Sequence, residues 1–473
     1  MDNEKYRLDD INIDKLNDEE RKIVDKRIKN RVLTNATPVF IELVVGSLFG
    51  MVDMMMLGNI KGDMVGAASL SSVGITNQLV FLGLSLVQAL CIGGTTMIAR
   101  YLGAHEEDRM GDVVKHVIIM AVLFVGIPVV LLSQLLTVPV MKFVGATPEV
   151  LQYGQNYFKI ICGGFIFQCI NVSLFSALRG VQNTKAPMFI NLIANAINVI
   201  GNYILIYGKL GVPALGATGA AISTITSQAL ASIMVIIYFI KFEDRLNVNF
   251  KKKFKFNPTT MSNLVKIGVP ASLEQLALRG GLFLFIRLVT SLGTLTHAAH
   301  QICINILSLS FTTGQSLGIS TSALVGHALG EKRPDRAKEY MMITKKIGFT
   351  ISLFIGMLLF FFGKYAVALY TNEAAIIEMS GDVLKIIALV QPFQTVQLLT
   401  AGGLRGAGDT VFPLIATTIG ILFIRTIVGY SFVYFFNMGL VGAWIGVVVD
   451  QLTRFFVIEK RSRGDEWLKV KIK

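Results

Sequence analysis

Apolar runs long enough to cross a bilayer recur along the whole chain, at 32–58, 64–98, 116–138, 151–176, 187–207, 215–240, 264–291, 297–327, 347–369, 378–403, 412–435 and 440–458. Most reach the roughly 20 residues that a helix needs to span the hydrocarbon. Their length, their glycine content and the lack of a ten-residue alternating pattern favour helices over a transmembrane barrel. The pattern predicts an all-α integral membrane protein with twelve spanning helices.

Polar positions inside these runs carry the candidate chemistry, because an ionisable group at the bilayer centre costs about 2.5–3.5 kcal/mol and is retained for a reason. The first run reads TPVFIELVVGSLFGMVDMMMLGNI (37–60) and holds Glu42 and Asp53. Eleven residues apart, they share one face of a regular helix at a separation of about 16 Å, and Pro38 can bend that helix near Glu42. On the fifth span Asn191, Asn195, Asn198 and Asn202 recur at steps of 4, 3 and 4, which lines four amides along one face. Such a stripe serves either as interhelical hydrogen bonding or, with Asp53, as part of a small-cation site. Hard cations such as Na⁺ take carboxylate, amide and carbonyl oxygens, and a desolvated carboxylate can carry a proton instead. Gln168 and Asn171, one turn apart on the fourth span, are matched by Gln394 and Gln397 on the tenth. Pairs of this kind suit interhelical bonds of about 0.6–2 kcal/mol. Asp450 and Arg454 are spaced to pair along the twelfth span. Arg279, Arg287 and Arg425 would bond helix-end carbonyls, snorkel or meet an anionic substrate. His297 and His300 share a face without a third ligand nearby and read as a satisfied helix-end pair.

The chain is written twice. LRGVQNTKAP (178–187) aligns with LRGAGDTVFP (404–413) at an offset of 226, LGAHEEDR (102–109) with LGEKRPDR (329–336), and TPVFIE (37–42) with VPASLE (269–274). Six spans per half is an even number, so the halves share one orientation about an axis along the membrane normal, with a cleft between them where transporters place substrate. The expected organisation is a charged leader (1–31), an N-lobe of six spans (32–240), a basic linker (241–263), a C-lobe of six spans (264–458) and a basic tail (459–473). The repeat also divides the polar residues. Glu42 has a mate in Glu274, whereas the same offset of 232 takes Asp53 to Phe285, and the offset of 226 takes Asn195, Asn198 and Asn202 to Ile421, Ile424 and Val428. Asp53 and the Asn stripe are therefore asymmetric and are the better ion site. Glu42 and Glu274 either hold their lobes together or, with Gln394 and Gln397, line the substrate cleft.

Composition agrees with membrane insertion: 473 residues, 53% hydrophobic, with mean hydropathy +0.61. The net charge of +13 would suit nucleic acid were it spread as a patch. Most Lys and Arg instead fall in the leader, the tail and the loops on their side, while the opposite loops carry only Lys61, Lys142, Lys209 and Lys364. This is the positive-inside pattern; it places both termini in the cytoplasm and argues against a nucleic-acid partner. Cys91, Cys162, Cys169 and Cys303 lie in apolar spans without CxxC spacing and read as packing residues. The leader has no apolar segment of a cleavable signal and reads as a solvated helix or arm.

No phosphate-binding GxxxxGK[ST], HExxH or GxSxG is present, so neither ATP-driven chemistry nor an enzyme is expected. The first-span proline followed by VDMMMLG (52–58), LGxxxxDR after the second and eighth spans, and LRGxxxT after the fourth and tenth resemble the multidrug and toxic compound extrusion (MATE) family of the MOP flippase superfamily. The resemblance covers residues 32–458. It implies a secondary antiporter of the plasma membrane that exports organic, often cationic, compounds in exchange for Na⁺ or H⁺, needs no other cofactor and works as a single chain among lipids. It also implies that Asp53 is the N-lobe coupling-ion residue, with Na⁺ as one candidate occupant, and that Pro38 is the hinge. Two departures follow from the same motifs. Where one branch carries a second acid on the fifth span, within INxxxDP, this chain reads INVIGNY (197–203), with Asn202 in place of the acid. Where another carries a tenth-span Asp after Pro, this chain has Gln394, and Glu274 lies shallower than that branch's seventh-span acid. One carboxylate plus amides, with Asn198, Asn202, Asn195, Asn171 and Gln168 as candidates, is the resulting expectation. The rivals are a lipid-linked oligosaccharide flippase of the same superfamily, using Arg279, Arg287 and Arg425, and a membrane enzyme or receptor.

Overall fold

The structure, a computed structural model, describes residues 17–60, 63–246, 248 and 254–470. The first 16 residues of the leader and Lys251, Lys252 and Lys253 of the linker lie outside the described residues. Among the described residues every regular element is helical. In chain order the long helices are α1 (Asp18–Gly58), α2 (Asp63–Gly103), α3 (Glu107–Leu135), and α4 (Pro148–Gly163 continued by Phe165–Gly180 after a 40° bend). They continue with α5 (Lys185–Tyr207), α6 (Gly216–Phe242), α7 (Pro258–Thr290), α8 (Thr294–Gly330), α9 (Pro334–Ala368), α10 (Ala374–Gly406), α11 (Val411–Tyr434) and α12 (Gly439–Arg463). Ten are long and apolar enough to cross a membrane, eleven if bent α4 is one span. The helix at the tenth predicted run, α10, has 33 residues, is buried along most of its length and is not among the ten.

The helices outrun the apolar runs because backbone hydrogen bonding does not stop where apolarity does. Helix α1 starts at Asp18, far ahead of residue 32. Asn17 and Glu20 cap it reciprocally, Glu20 N–H donating to Asn17 Oδ1 at 2.9 Å and Asn17 N–H to Glu20 Oε2 at 3.2 Å, as in a capping box. Its charged leader also hides an apolar stripe at every fourth position, Val24, Ile28, Val32 and Ala36. The stripe packs in one core with Leu324, Val325, Ala328, Ala337 and Tyr340, each fully buried Val or Ile being worth about 1.5–3 kcal/mol. The described part of the leader is therefore a packed helix, where its charge alone suggests a solvated one.

Internal contacts divide the chain into two compact units. The C-terminal unit holds the described residues up to Phe40, Ala99–Ala104 and those from Val269 onward, and the N-terminal unit holds Ile41–Ile98 and His105–Gly268. Two of the borders fall inside helices beside repeat-matched prolines. One lies just after Pro38 in α1 and the other just before Pro270 in α7, where the missing proline N–H interrupts the helical ladder. Relative to lobes of 32–240 and 264–458, the units exchange the leading ends of α1 and α7.

The repeated motifs are helix stops. LRGxxxT ends α4 and α10, with the chain turning left-handed at Gln182 (φ 62°) and Gly408 (φ 88°). Asn183 N–H then reaches back to the Leu178 carbonyl and Asp409 N–H to the Leu404 carbonyl, which caps the orphan carbonyls. LGxxxxDR does the same after α2 and α8 at His105 (φ 57°) and Lys332 (φ 58°). Its glycines are also a mutual contact: a Cβ on Gly103 would strike the His327 carbonyl and one on Gly330 the Arg100 carbonyl.

Helix α11 contains a π-helical stretch, Ile419–Arg425, which inserts one extra residue into the ladder. Packing against the following helix confirms the shift. Ser223 of α6 donates to the Asn198 carbonyl at 2.8 Å, and Gly446 of α12 lies against the Arg425 carbonyl. The mate of Asn198 is thus Arg425, not Ile424, and that of Asn202 is Gly429, not Val428. The Asn stripe still has no counterpart, but its place is taken by an arginine.

Candidate functional site

In the N-terminal unit, α1 beyond Pro38 presents a half-buried Asp53 to α5. Asn202 Nδ2 donates to Asp53 Oδ1 at 2.7 Å. Asn198, one turn earlier, lies between Asp53 and Thr224 of α6. With its nitrogen toward the carboxylate it donates to both Asp53 oxygens at 3.1 Å, and its own oxygen accepts from the Thr224 hydroxyl and N–H at 3.2 Å. With the amide turned the other way, its nitrogen faces the Thr224 hydroxyl at 3.2 Å and the Ser223 hydroxyl at 3.4 Å, leaving oxygen toward oxygen at Asp53. Asn202 is almost wholly buried, and its Oδ1 has no hydrogen-bond partner. The constellation is one carboxylate, two amides and a hydroxyl, an oxygen-rich set of the kind that hard monovalent cations take. No group of three or more His, Cys, Asp or Glu able to hold a metal ion exists among the described residues.

The remaining sequence candidates separate from this cluster. Asn191 Nδ2 donates to Glu42 Oε1 at 2.5 Å. Asn195 is half-buried and takes part in none of these bonds. Asn171 ties α4 to α6, donating to the Gln228 side-chain oxygen at 2.9 Å and accepting from Ser232 at 2.8 Å, and the buried Gln168 Oε1 has no partner. Neither of these α4 residues bonds Asp53. On α10, Gln397 is buried with an unpartnered Oε1, and Gln394 is half-buried.

Glu42 and Glu274 are mates in structure as in sequence. Arg179, from LRG of α4, donates Nη2 to Glu42 Oε1 at 2.7 Å. Arg405, from LRG of α10, donates Nη2 to Glu274 Oε1 at 2.6 Å and Nε to Oε2 at 3.3 Å. Thr417, the mate of Asn191, donates to Glu274 Oε1 at 3.1 Å. Both carboxylates are thus engaged within their own units, which bears on their assignment as cleft residues. The N-terminal copy is the less complete, since Glu42 Oε2 and Arg179 Nε are buried without partners. These arginines align in the repeat, yet nothing local in LRGxxxT ties its arginine to a glutamate more than a hundred residues away.

The C-terminal unit buries a different core. Arg425 Nε and Nη2 donate to Asp450 Oδ2 at 3.0 and 2.6 Å. Arg454 Nε and Nη2 donate to Asp450 Oδ1 and Oδ2 at 2.8 and 2.9 Å. The Asp450–Arg454 pairing follows from its spacing. Arg425 neither snorkels nor caps a helix, being buried in a shared ion pair. His300 is also unlike its expectation: it is fully buried, and neither ring nitrogen has a hydrogen-bond partner. All four cysteines are free and buried.

Comparisons with known proteins agree with this architecture. The MatE family profile matches residues 38–204 and 270–431, the two halves of the repeat. The chain is 30% identical over 457 residues to a protein of Mannheimia succiniciproducens named as a probable multidrug resistance protein, NorM, covering 92% of this chain and 94% of that one. It is 27% identical over 449 residues to the multidrug resistance protein NorM of Photobacterium profundum, covering 93% and 96%. Among solved structures it is similar to a MATE protein in the bent conformation, with TM-score 0.84, 21% identity and coverage of 92% and 95%. It is similar in fold, with the same TM-score and 22% identity, to an outward-facing multidrug resistance MATE family transporter of the MOP superfamily. This chain belongs to the MATE family of membrane transporters.

Proposed function

We propose that the protein is a secondary antiporter of the plasma membrane that exports organic, often cationic, compounds against entry of Na⁺ or H⁺ at Asp53. On this reading twelve spans form two six-span lobes, both termini are cytoplasmic, and the lobes rock about a central cleft to give alternating access. The observation that carries it is the clasp of Asp53 by Asn202 and Asn198, with the unpartnered Asn202 Oδ1 beside it. Resemblance to the NorM multidrug resistance proteins supports the substrate class.

The Asn198 amide gives the site a way to respond. Its nitrogen suits a bare Asp53 carboxylate, whereas its oxygen suits Asp53 when a cation or a proton lies between them. Ion arrival and amide orientation are then linked, and Thr224 accepts or donates accordingly through its hydroxyl. Motion between lobes passes through α1 at Pro38 and, by the repeat, through α7 at Pro270. The flippase alternative loses one of its candidate headgroup ligands, because Arg425 is held in the buried pair with Asp450.

The test is export of a cationic dye from proteoliposomes under separately imposed Na⁺ and pH gradients. The wild type should respond to at least one gradient and Asp53→Asn to neither. Gradient-driven export by Asp53→Asn at the wild-type rate would overturn the assignment.

A further inference from the structure

The counterpart of the Asp53 site in the C-terminal unit is inverted in charge. Repeat matching sends Asp53 to Phe285 and, through the π-helical insertion, Asn198 to Arg425. The two mates meet in the structure as Asp53 and Asn198 do, with the Arg425 guanidinium 5.7 Å from the centre of the Phe285 ring. Around that ring stand His300 at 5.4 Å and Trp444 at 5.8 Å between centroids, and these two are 5.4 Å from each other. Phe285, His300, Trp444, Arg425, Asp450 and Arg454 are all at least nine-tenths buried. Two guanidinium groups share the single carboxylate of Asp450. Both His300 nitrogens and the Trp444 Nε1–H are buried without a partner.

We propose that this cluster binds a small monovalent anion of the size and softness of chloride, held by Arg425, His300 and Trp444. The chemistry is that of an anion site. The ion pairs leave one buried positive charge uncompensated, which is costly at membrane depth unless something of opposite sign shares the space. Buried unpaired donors call for an acceptor: the indole N–H can only donate, and a neutral imidazole offers one N–H. A hard cation finds no free carboxylate here, since both Asp450 oxygens are taken. The site lies within one unit and does not depend on which ion Asp53 carries.

Trp444 makes the proposal readable, because the chain has only one other tryptophan, Trp467. In purified Trp467→Phe protein, iodide should quench the remaining fluorescence along a saturable curve, and chloride should reverse it while gluconate at equal ionic strength does not. The saturable component should be lost in Arg425→Gln and lost or moved to higher iodide in His300→Phe. That second variant keeps the ion pairs intact and decides the matter should Arg425→Gln not fold. A purely linear quench indifferent to chloride would overturn the proposal and leave water as the partner of these donors. A saturable component unchanged in the folded variants would overturn it as well, by placing the anion elsewhere.

Discussion

The two halves of the repeat keep one polar cluster in common and part company over another. Glu42 with Arg179 and Asn191 is copied as Glu274 with Arg405 and Thr417, each a neutral pair with a polar third member. Twelve residues or fewer further along α1 and α7, the resemblance ends. The N-terminal unit presents Asp53 to the amides of Asn198 and Asn202, and the C-terminal unit presents Phe285 to an arginine already bonded to Asp450. The same scaffold thus holds a carboxylate facing neutral amides in one unit and a fixed ion pair in the other. Asn202 Oδ1 is left without a hydrogen-bond partner, whereas both Asp450 oxygens are taken by arginines.

The sharpest break between the halves is predicted at Asp450. Asp450→Asn leaves two buried guanidinium groups without a carboxylate, and removing one partner of a buried pair typically costs about 3–5 kcal/mol. Thermal unfolding in detergent should show a large loss of stability, far greater than for Asp53→Asn, whose partners are neutral amides. The shared cluster should respond unequally. Glu274→Gln keeps one acceptor oxygen but turns the two-point charged arginine contact into a single neutral-acceptor one, at about 1.5–3 kcal/mol for a lost charged hydrogen bond, and Glu42→Gln loses less because its Oε2 is unpartnered. Equal melting shifts for the two would contradict the unequal geometry. The smallest effect is expected at Thr224→Val, which removes one neutral hydrogen bond worth about 0.5–1.5 kcal/mol. It should barely move stability while weakening ion dependence of transport, since Asn198 then loses the hydroxyl that holds either orientation.

Much of this was legible in the sequence. Helical class and the repeat rest on apolar run length and on motif spacing, both of which act locally. The amide clasp followed from the 4, 3, 4 spacing, which fixes a helix face without saying what that face meets; Asn198 and Asn202 reached Asp53, whereas Asn191 reached Glu42. Two features were hidden for physical reasons. A π-helical insertion shifts the repeat by one residue without changing composition, so Arg425 read as the neighbour of Asn198's mate and not as the mate itself. The leader's stripe of Val24, Ile28, Val32 and Ala36 was masked by the charges between its members, because periodic burial and net charge are independent properties of one helix.

On the proposed function, one unit alone should carry an exchangeable cation. The most direct test is to count cations bound per chain, by calorimetric titration with Na⁺ and by proton uptake in weakly buffered solution, for wild type and Asp53→Asn. A single site in the wild type, for whichever ion, that disappears in Asp53→Asn is the predicted result. A cation site of unchanged affinity in Asp53→Asn, or a second site in the wild type that survives the substitution, would contradict it.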